Sequence, residues 1–223
     1  MPCNDLPCCG AHERNCLRLM RQPDKLIFLP GAGGSPDFWR PVCRALVHPA
    51  SRRLLGWPGF GSVAANDAVA GVDDLVSMVM DEMDQPCALI AQSMGGVIAV
   101  RAVLERTDLA THLVLTATSG GVDMSNFGAE DWRLKYQPEN AAVPRWFVDY
   151  REDLSEQVRS IGVPTLLLWG DSDPVSPVAV GRHLQALLPD SRLHVVRNGE
   201  HDLGNRLAST VAPIIDEHLQ HGF

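Results

Sequence analysis

Positive charge is in short supply in this sequence. The 223 residues hold 19 Lys and Arg against 27 Asp and Glu, a formal net charge of −8. Such a surplus of acid argues against nucleic acid or an anionic membrane surface as the main partner. No apolar run comes near the ~20 residues that span a bilayer. The start, Met1-Pro2-Cys3-Asn4-Asp5, has neither a basic n-region nor a long apolar h-region, so no secretory signal is read there and a cytoplasmic location is expected. Cysteine is thin beyond the first sixteen residues, where Cys3, Cys8, Cys9 and Cys16 surround His12. That cluster lacks a Cys-x-x-Cys pair, and no second cluster follows, so a frayed, reduced segment is expected over residues 1–24 rather than a metal site. Cys43 and Cys87 read as buried thiols. Repeats and low-complexity linkers are absent.

What is present fits one ordinary globular domain, with 45% hydrophobic and 21% charged residues. Its centre is the stretch Cys87-Ala88-Leu89-Ile90-Ala91-Gln92-Ser93-Met94-Gly95-Gly96. Ala88 to Ala91 reads as a buried strand, and Met94 to Glu105 as a helix, with no room for a loop between them. The turning residue is Ser93, flanked two positions away by Ala91 and Gly95, which are small enough not to collide with so sharp a turn. Such a turn exposes a hydroxyl at a helix N-terminus, where free N–H groups favour negative charge. A serine that merely caps the helix is the plainer alternative.

The remaining chain alternates strand and helix. Strands are predicted at Lys25–Leu29, Arg52–Trp57, His112–Ala117, Pro164–Trp169 and Arg192–Val196, with one further short strand at Cys16–Arg21. Helices are predicted from Pro36 to about Leu46, Gly71 to Met83 (apolar at Val72, Leu75, Val76, Val79, Met80 and Met83), Pro177 to Leu188 and Leu203 to Leu219. This alternation implies an α/β fold, a mostly parallel sheet of about six to eight strands with helices on both faces. Residues 121–155 differ in character. They hold six of the thirteen aromatics, among them Trp132, Tyr136, Trp146 and Phe147, and two short helices are expected there, near Ala129–Tyr136 and Pro144–Leu154. Arg133, Lys135 and Arg145 in this segment could meet a carboxylate or phosphate, or form a solvated face.

Three strand ends carry chemistry. Lys25–Leu29 runs into Pro30-Gly31-Ala32-Gly33-Gly34-Ser35, which is neither a Walker loop, since no Gly-Lys-Ser/Thr follows, nor a dinucleotide fingerprint. The strand to Trp169 ends in Gly170-Asp171-Ser172-Asp173-Pro174, and the last strand breaks at Asn198-Gly199-Glu200-His201-Asp202. The Ala-Gln-Ser-Met-Gly turn resembles the nucleophile elbow of the α/β-hydrolase family, normally G-x-S-x-G, with Ala91 in the first glycine position. The order serine, acid, histidine is also that family's order, and the resemblance covers residues 25–223.

The resemblance implies a catalytic set of Ser93 as nucleophile, Asp173 as acid and His201 as base, with Asp171 as the competing acid. It implies an oxyanion hole from the Ala32 and Met94 amides, Pro30 standing where the family commonly has histidine. It further implies a small helical lid at about 121–155, a pocket drawing on Phe38, Trp39, Trp132, Tyr136, Trp146 and Phe147, and no cofactor or metal. The elbow and compact lid look most like small bacterial carboxylesterases of the pimeloyl-ester type. The expected activity is cleavage of a small carboxylic ester or thioester through an acyl-enzyme by a monomer or homodimer. A C–C bond hydrolase or lyase with the same three residues, or a non-catalytic small-molecule binder, are the alternatives. The remaining histidines (His12, His48, His112, His183, His194, His218 and His221) are expected on the surface or in helices.

Overall fold

The structure is a computed structural model that describes residues 21–131, 133 and 143–221, the side chain of His221 excepted. Among the described residues, six strands form one all-parallel sheet: β1 (Lys25–Leu29), β2 (Ser51–Leu54), β3 (Cys87–Gln92), β4 (Ala110–Thr116), β5 (Thr165–Gly170) and β6 (Ser191–Val196), in the order β2-β1-β3-β4-β5-β6. The expected strand at Cys16–Arg21 falls almost wholly outside the described residues. β2 stops at Leu54, short of the expected Trp57, because Trp57 leaves the sheet and sends its indole N–H to the Pro30 carbonyl.

The continuous apolar runs of β1, β3, β4 and β5 follow from burial on both faces. Alternate residues serve opposite layers. Ile27, Leu89, Leu113 and Leu167 join the core beneath α2 (Val72–Glu82), α3 (Met94–Glu105) and α6 (Val178–Leu187). Leu26, Ile90, Val114 and Leu168 join the core beneath α1 (Arg40–Ala45), α7 (Leu203–Arg206) and α8 (Ala208–His221). In α2 the predicted stripe is correct: Leu75, Val79 and Met83 are fully buried. Its N-terminus is held by Asp74, whose carboxylate accepts from the Ala70 and Gly71 amides at 2.8 and 3.0 Å.

Several boundaries differ from the sequence expectation. The helix expected from Pro36 begins there, but as a 3₁₀ turn, Pro36–Trp39, before α1, because proline at its start and the Ser35 cap favour a tight first turn. The expected Pro144–Leu154 helix ends at Tyr150, giving α4 (Arg145–Asp149), and chain resumes as α5 (Ser155–Val158). The C-terminal helix is broken at Leu207. Cys43 is only partly buried, whereas Cys87 is fully so, its thiol pushed up to about 12 by burial.

Two histidines expected at the surface or on helices, His48 and His112, are instead buried, and His218, on a helix as expected, is buried as well. His112 of β4 and His218 of α8 pack edge to face, with ring centroids 5.2 Å apart, and His218 Nε2 meets the Leu113 carbonyl at 3.2 Å. Burial lowers His112 to about 4 and His218 to about 3. The unfolded chain titrates these imidazoles near 6.5, so it binds more protons than the folded chain below that pH. Stability must then fall as pH drops from about 6.5 toward 4, by up to about 1.4 kcal/mol per pH unit for each group. We expect the urea midpoint to fall between pH 7.5 and 5, with a shallower fall in His112→Leu. Parallel profiles would show that this pair does not govern acid sensitivity.

Candidate functional site

β3 passes into α3 through Ser93 alone. Its backbone takes φ 52° and ψ −121°, a region disfavoured for a residue with a Cβ. The turn is fastened from both sides. The Ser93 amide donates to the Thr116 carbonyl at 3.0 Å, and Thr118 Oγ1 donates to the Ser93 carbonyl at 2.6 Å. Gly95 is required by crowding: a Cβ there would lie 2.5 Å from the Pro30 carbonyl oxygen and 2.7 Å from that of Leu29. Thus the helix after Ser93 presses directly on the glycine loop after β1.

That loop is hung from two buried indoles. Trp39 donates to the Leu29 carbonyl at 2.9 Å, and Trp57 to the Pro30 carbonyl at 2.8 Å. Gly34, at φ +70°, closes the turn by donating to the Gly31 carbonyl at 3.0 Å. Ala32 and Met94 both border the cavity that Ser93 faces.

The C-terminal ends of β5 and β6 bring the other two residues in. His201 Nε2 lies 3.0 Å from Ser93 Oγ, and His201 Nδ1 lies 2.8 Å from Asp173 Oδ2. The Asp173 side chain has no exposed surface, and its Oδ1 accepts from the Val175 and Ser176 amides at 2.8 and 3.1 Å. These bonds fix the carboxylate and leave Oδ2 for the imidazole. Asp171 does not reach the site: it is exposed, and its Oδ1 takes the Asn198 amide at 2.7 Å, shaping the turn that carries His201.

Ser93 and His201 open onto a cavity of about 950 Å³. Of the expected pocket residues, Phe38 and Phe147 line it. Trp39 does not. It lies fully buried beneath the sheet, where it holds the loop instead. Trp146 is also turned away, packing edge to face on Phe60 at 5.6 Å. Trp132 and Tyr136 lie outside the described residues, as do Lys135 and so half of the helix expected near 129–136. Arg145 pairs with Asp149 at 3.0 Å on the surface, while Arg133 does reach the cavity.

Three contributors escaped the sequence. Gln92 is buried, and its Nε2 donates to the His201 carbonyl at 3.1 Å, linking elbow to histidine turn. Tyr150 lines the cavity and donates to Glu152, and burial pushes its phenol up. Asp202 borders the cavity directly after His201. For Gln92 and Asp202 the available signal was adjacency to Ser93 and His201.

A hydrogen-bonded Ser–His–Asp relay at the C-terminal edge of a parallel sheet, opening on a large cavity, defines an α/β hydrolase-like site. The description "Alpha/beta hydrolase family" matches residues 26–159, and "alpha/beta hydrolase fold" matches residues 140–204. The chain belongs to the alpha/beta hydrolase family. It is 26% identical to the polyketide synthase ThaQ of Burkholderia thailandensis over 95% of this chain, but spans only 12% of that synthase. It is 21% identical to a pimeloyl-[acyl-carrier protein] methyl ester esterase of Vibrio cholerae, over 81% of this chain and 88% of the relative, so the likeness to the pimeloyl-ester type holds at low identity. A solved hydrolase from Oleispira antarctica superposes with a TM-score of 0.75 at 14% identity, covering 88% of this chain and 90% of that one. Among the described residues, no helix is long and apolar enough to cross a membrane.

The crowding at Gly95 yields a stability test. Gly95→Ala must displace either α3 or the Pro30 carbonyl, an overpacking that costs about 1–3 kcal/mol. We expect a melting temperature several degrees below that of the parent, measured by calorimetry. An unchanged melting temperature would mean that α3 and the loop are not in contact.

Proposed function

We propose that the protein is a serine hydrolase that cleaves a small carboxylic ester or thioester through an acyl-enzyme. The observation that carries this reading is the Ser93–His201–Asp173 relay, with contacts of 3.0 and 2.8 Å. His201 Nε2 takes the Ser93 proton as Oγ bonds to the substrate carbonyl carbon. Asp173, held by two amides, keeps the proton of His201 on Nδ1 and stabilises the imidazolium. The tetrahedral oxyanion sits against the Ala32 and Met94 amides, a type of donor whose loss costs about 3 kcal/mol of barrier. The C–O or C–S bond then breaks, and His201 gives its proton to the departing alcohol or thiol. Water repeats the sequence on the acyl-enzyme. It loses a proton to His201, bonds to the acyl carbon, and frees Ser93 and a carboxylic acid.

In this reading residues 25–223 act as one hydrolase domain, and the 121–155 segment, which supplies Phe147 and Tyr150 to the cavity wall, is a lid. The name of the Vibrio cholerae relative supports an ester as the scissile bond. The test is a series of p-nitrophenyl esters and acyl thioesters of increasing chain length. We expect wild-type turnover, with Ser93→Ala lowering kcat by 10³-fold or more and Asp173→Asn by about 10⁴-fold. Asp171→Asn should stay within about threefold. Equal losses in Asp171→Asn and Asp173→Asn would remove Asp173 from its role. A folded protein that binds these esters without turnover would favour the non-catalytic binder.

A further inference from the structure

One wall of the cavity is apolar. Met94, Val97 and Ile98 of α3 line it together with Val72, Val122 and Phe147, and all six pack on the core beneath α2 and α3. The polar side chains that border this wall are already used by the chain. Thr118 donates to the Ser93 carbonyl at 2.6 Å, Ser119 accepts from the Gly121 amide at 3.2 Å, and Tyr150 donates to Glu152. Arg101, one turn beyond Val97 on α3, is not part of the lining. It pairs with Asp73 of α2 at 2.7 Å and lies 3.7 Å from Glu152 of the cavity wall. The apolar wall therefore ends where Arg101 ties α3 to α2 and to the 121–155 segment.

The direction of proton transfer assigns this wall to one part of a substrate. His201 gives its proton to the departing group, so that group lies on the histidine's side of Ser93. His201 enters from the opposite face of the sheet: Leu203, two residues on, and Phe38 pack on the core beneath α1, α7 and α8. The group retained on Ser93 therefore points the other way, along Met94, Val97 and Ile98. At the α-helical rise, Val97 stands about 6 Å and Arg101 about 12 Å beyond Ser93 along α3. Helical side chains lean back toward the N-terminus, which leaves an arm of about 8–10 Å. An extended hydrocarbon advances about 1.25 Å per carbon, so the arm holds roughly six to eight carbons.

We propose that the site selects a straight aliphatic acyl group of roughly six to eight carbons, seated along α3, with Val97 as its specificity-determining residue. This rests on the ester-hydrolase reading for the direction in which the chain lies. Each methylene laid against the wall leaves water and tightens binding by about fourfold. The gain stops at the Arg101 bridge, where a longer chain meets an ion pair instead of apolar surface. Val97 is half-buried one turn beyond Ser93, so its bulk sets the length that the arm accepts without touching the reacting atoms.

The test uses N-methyl amides of straight-chain acids of about four to twelve carbons, which Ser93 does not turn over readily, and the p-nitrophenyl esters of the same acids. Amide binding to the full-length protein is measured by calorimetry, and kcat/KM is measured on the esters. We expect affinity to rise about fourfold per methylene and to level off at roughly six to eight carbons, with ester kcat/KM peaking at the same length. Val97→Phe should shorten the limit by about two carbons, and Val97→Ala should lengthen it by about one. Opposite shifts in the two variants cannot come from a general loss of fold. Affinity without a length limit in the wild type overturns the proposal, and so does a limit that neither variant moves. The two compound series separate the two readings. A length limit on the amides that follows Val97, without turnover of any ester, sinks the hydrolase chemistry while keeping the chain site, and ester turnover without a length limit does the reverse.

Discussion

The architecture depends on one backbone constraint: β3 must become α3 in a single residue. Ser93 therefore sits at positive φ, a conformation that costs on the order of 1–3 kcal/mol and persists only where the surroundings over-determine it. Those surroundings are visible. The Thr116 and Thr118 bonds clamp the serine's amide and carbonyl, and a glycine at 95 lets α3 lie against the Leu29 and Pro30 carbonyls. Those same carbonyls are also taken by Trp39 and Trp57. Strain at one residue is thus spread over three strand ends, and the hydroxyl, the glycine loop and the cavity share one rigid frame.

Three aspartates of similar sequence context are separated by environment. Asp173 has one oxygen saturated by two amides and the other on His201. Asp171, two residues earlier, is exposed and organises the turn at Asn198. Asp202, one residue beyond His201, keeps an oxygen that nothing among the described residues satisfies. Position relative to the strand ends of β5 and β6, rather than residue type, decides which carboxylate orients the imidazole and which shapes a turn.

Much of this was legible in the sequence, for identifiable reasons. Strands buried on both faces leave continuous apolar runs, so β1, β3, β4 and β5 were placed to within a residue or two. The serine turn announced itself through small neighbours, and the acid and histidine through breaks directly after strands. Side-chain direction was not legible. Phe38 and Trp39 are adjacent on a 3₁₀ turn, yet one lines the cavity and the other lies under the sheet. His112 and His218 are more than a hundred residues apart, and nothing local says that they meet. The broken α4 and α5 follow from tertiary docking, the Leu154 amide bonding to the Gly121 carbonyl, which periodicity does not encode.

The central claim is that this frame makes Ser93 an activated nucleophile. The most direct measurement is the intact mass of the protein after exposure to a fluorophosphonate, followed by peptide mapping. The account predicts a single adduct on Ser93 in the wild type, absent from Ser93→Ala and formed far more slowly in His201→Ala. A folded wild-type protein that acquires no adduct, or one modified equally fast without His201, would contradict it.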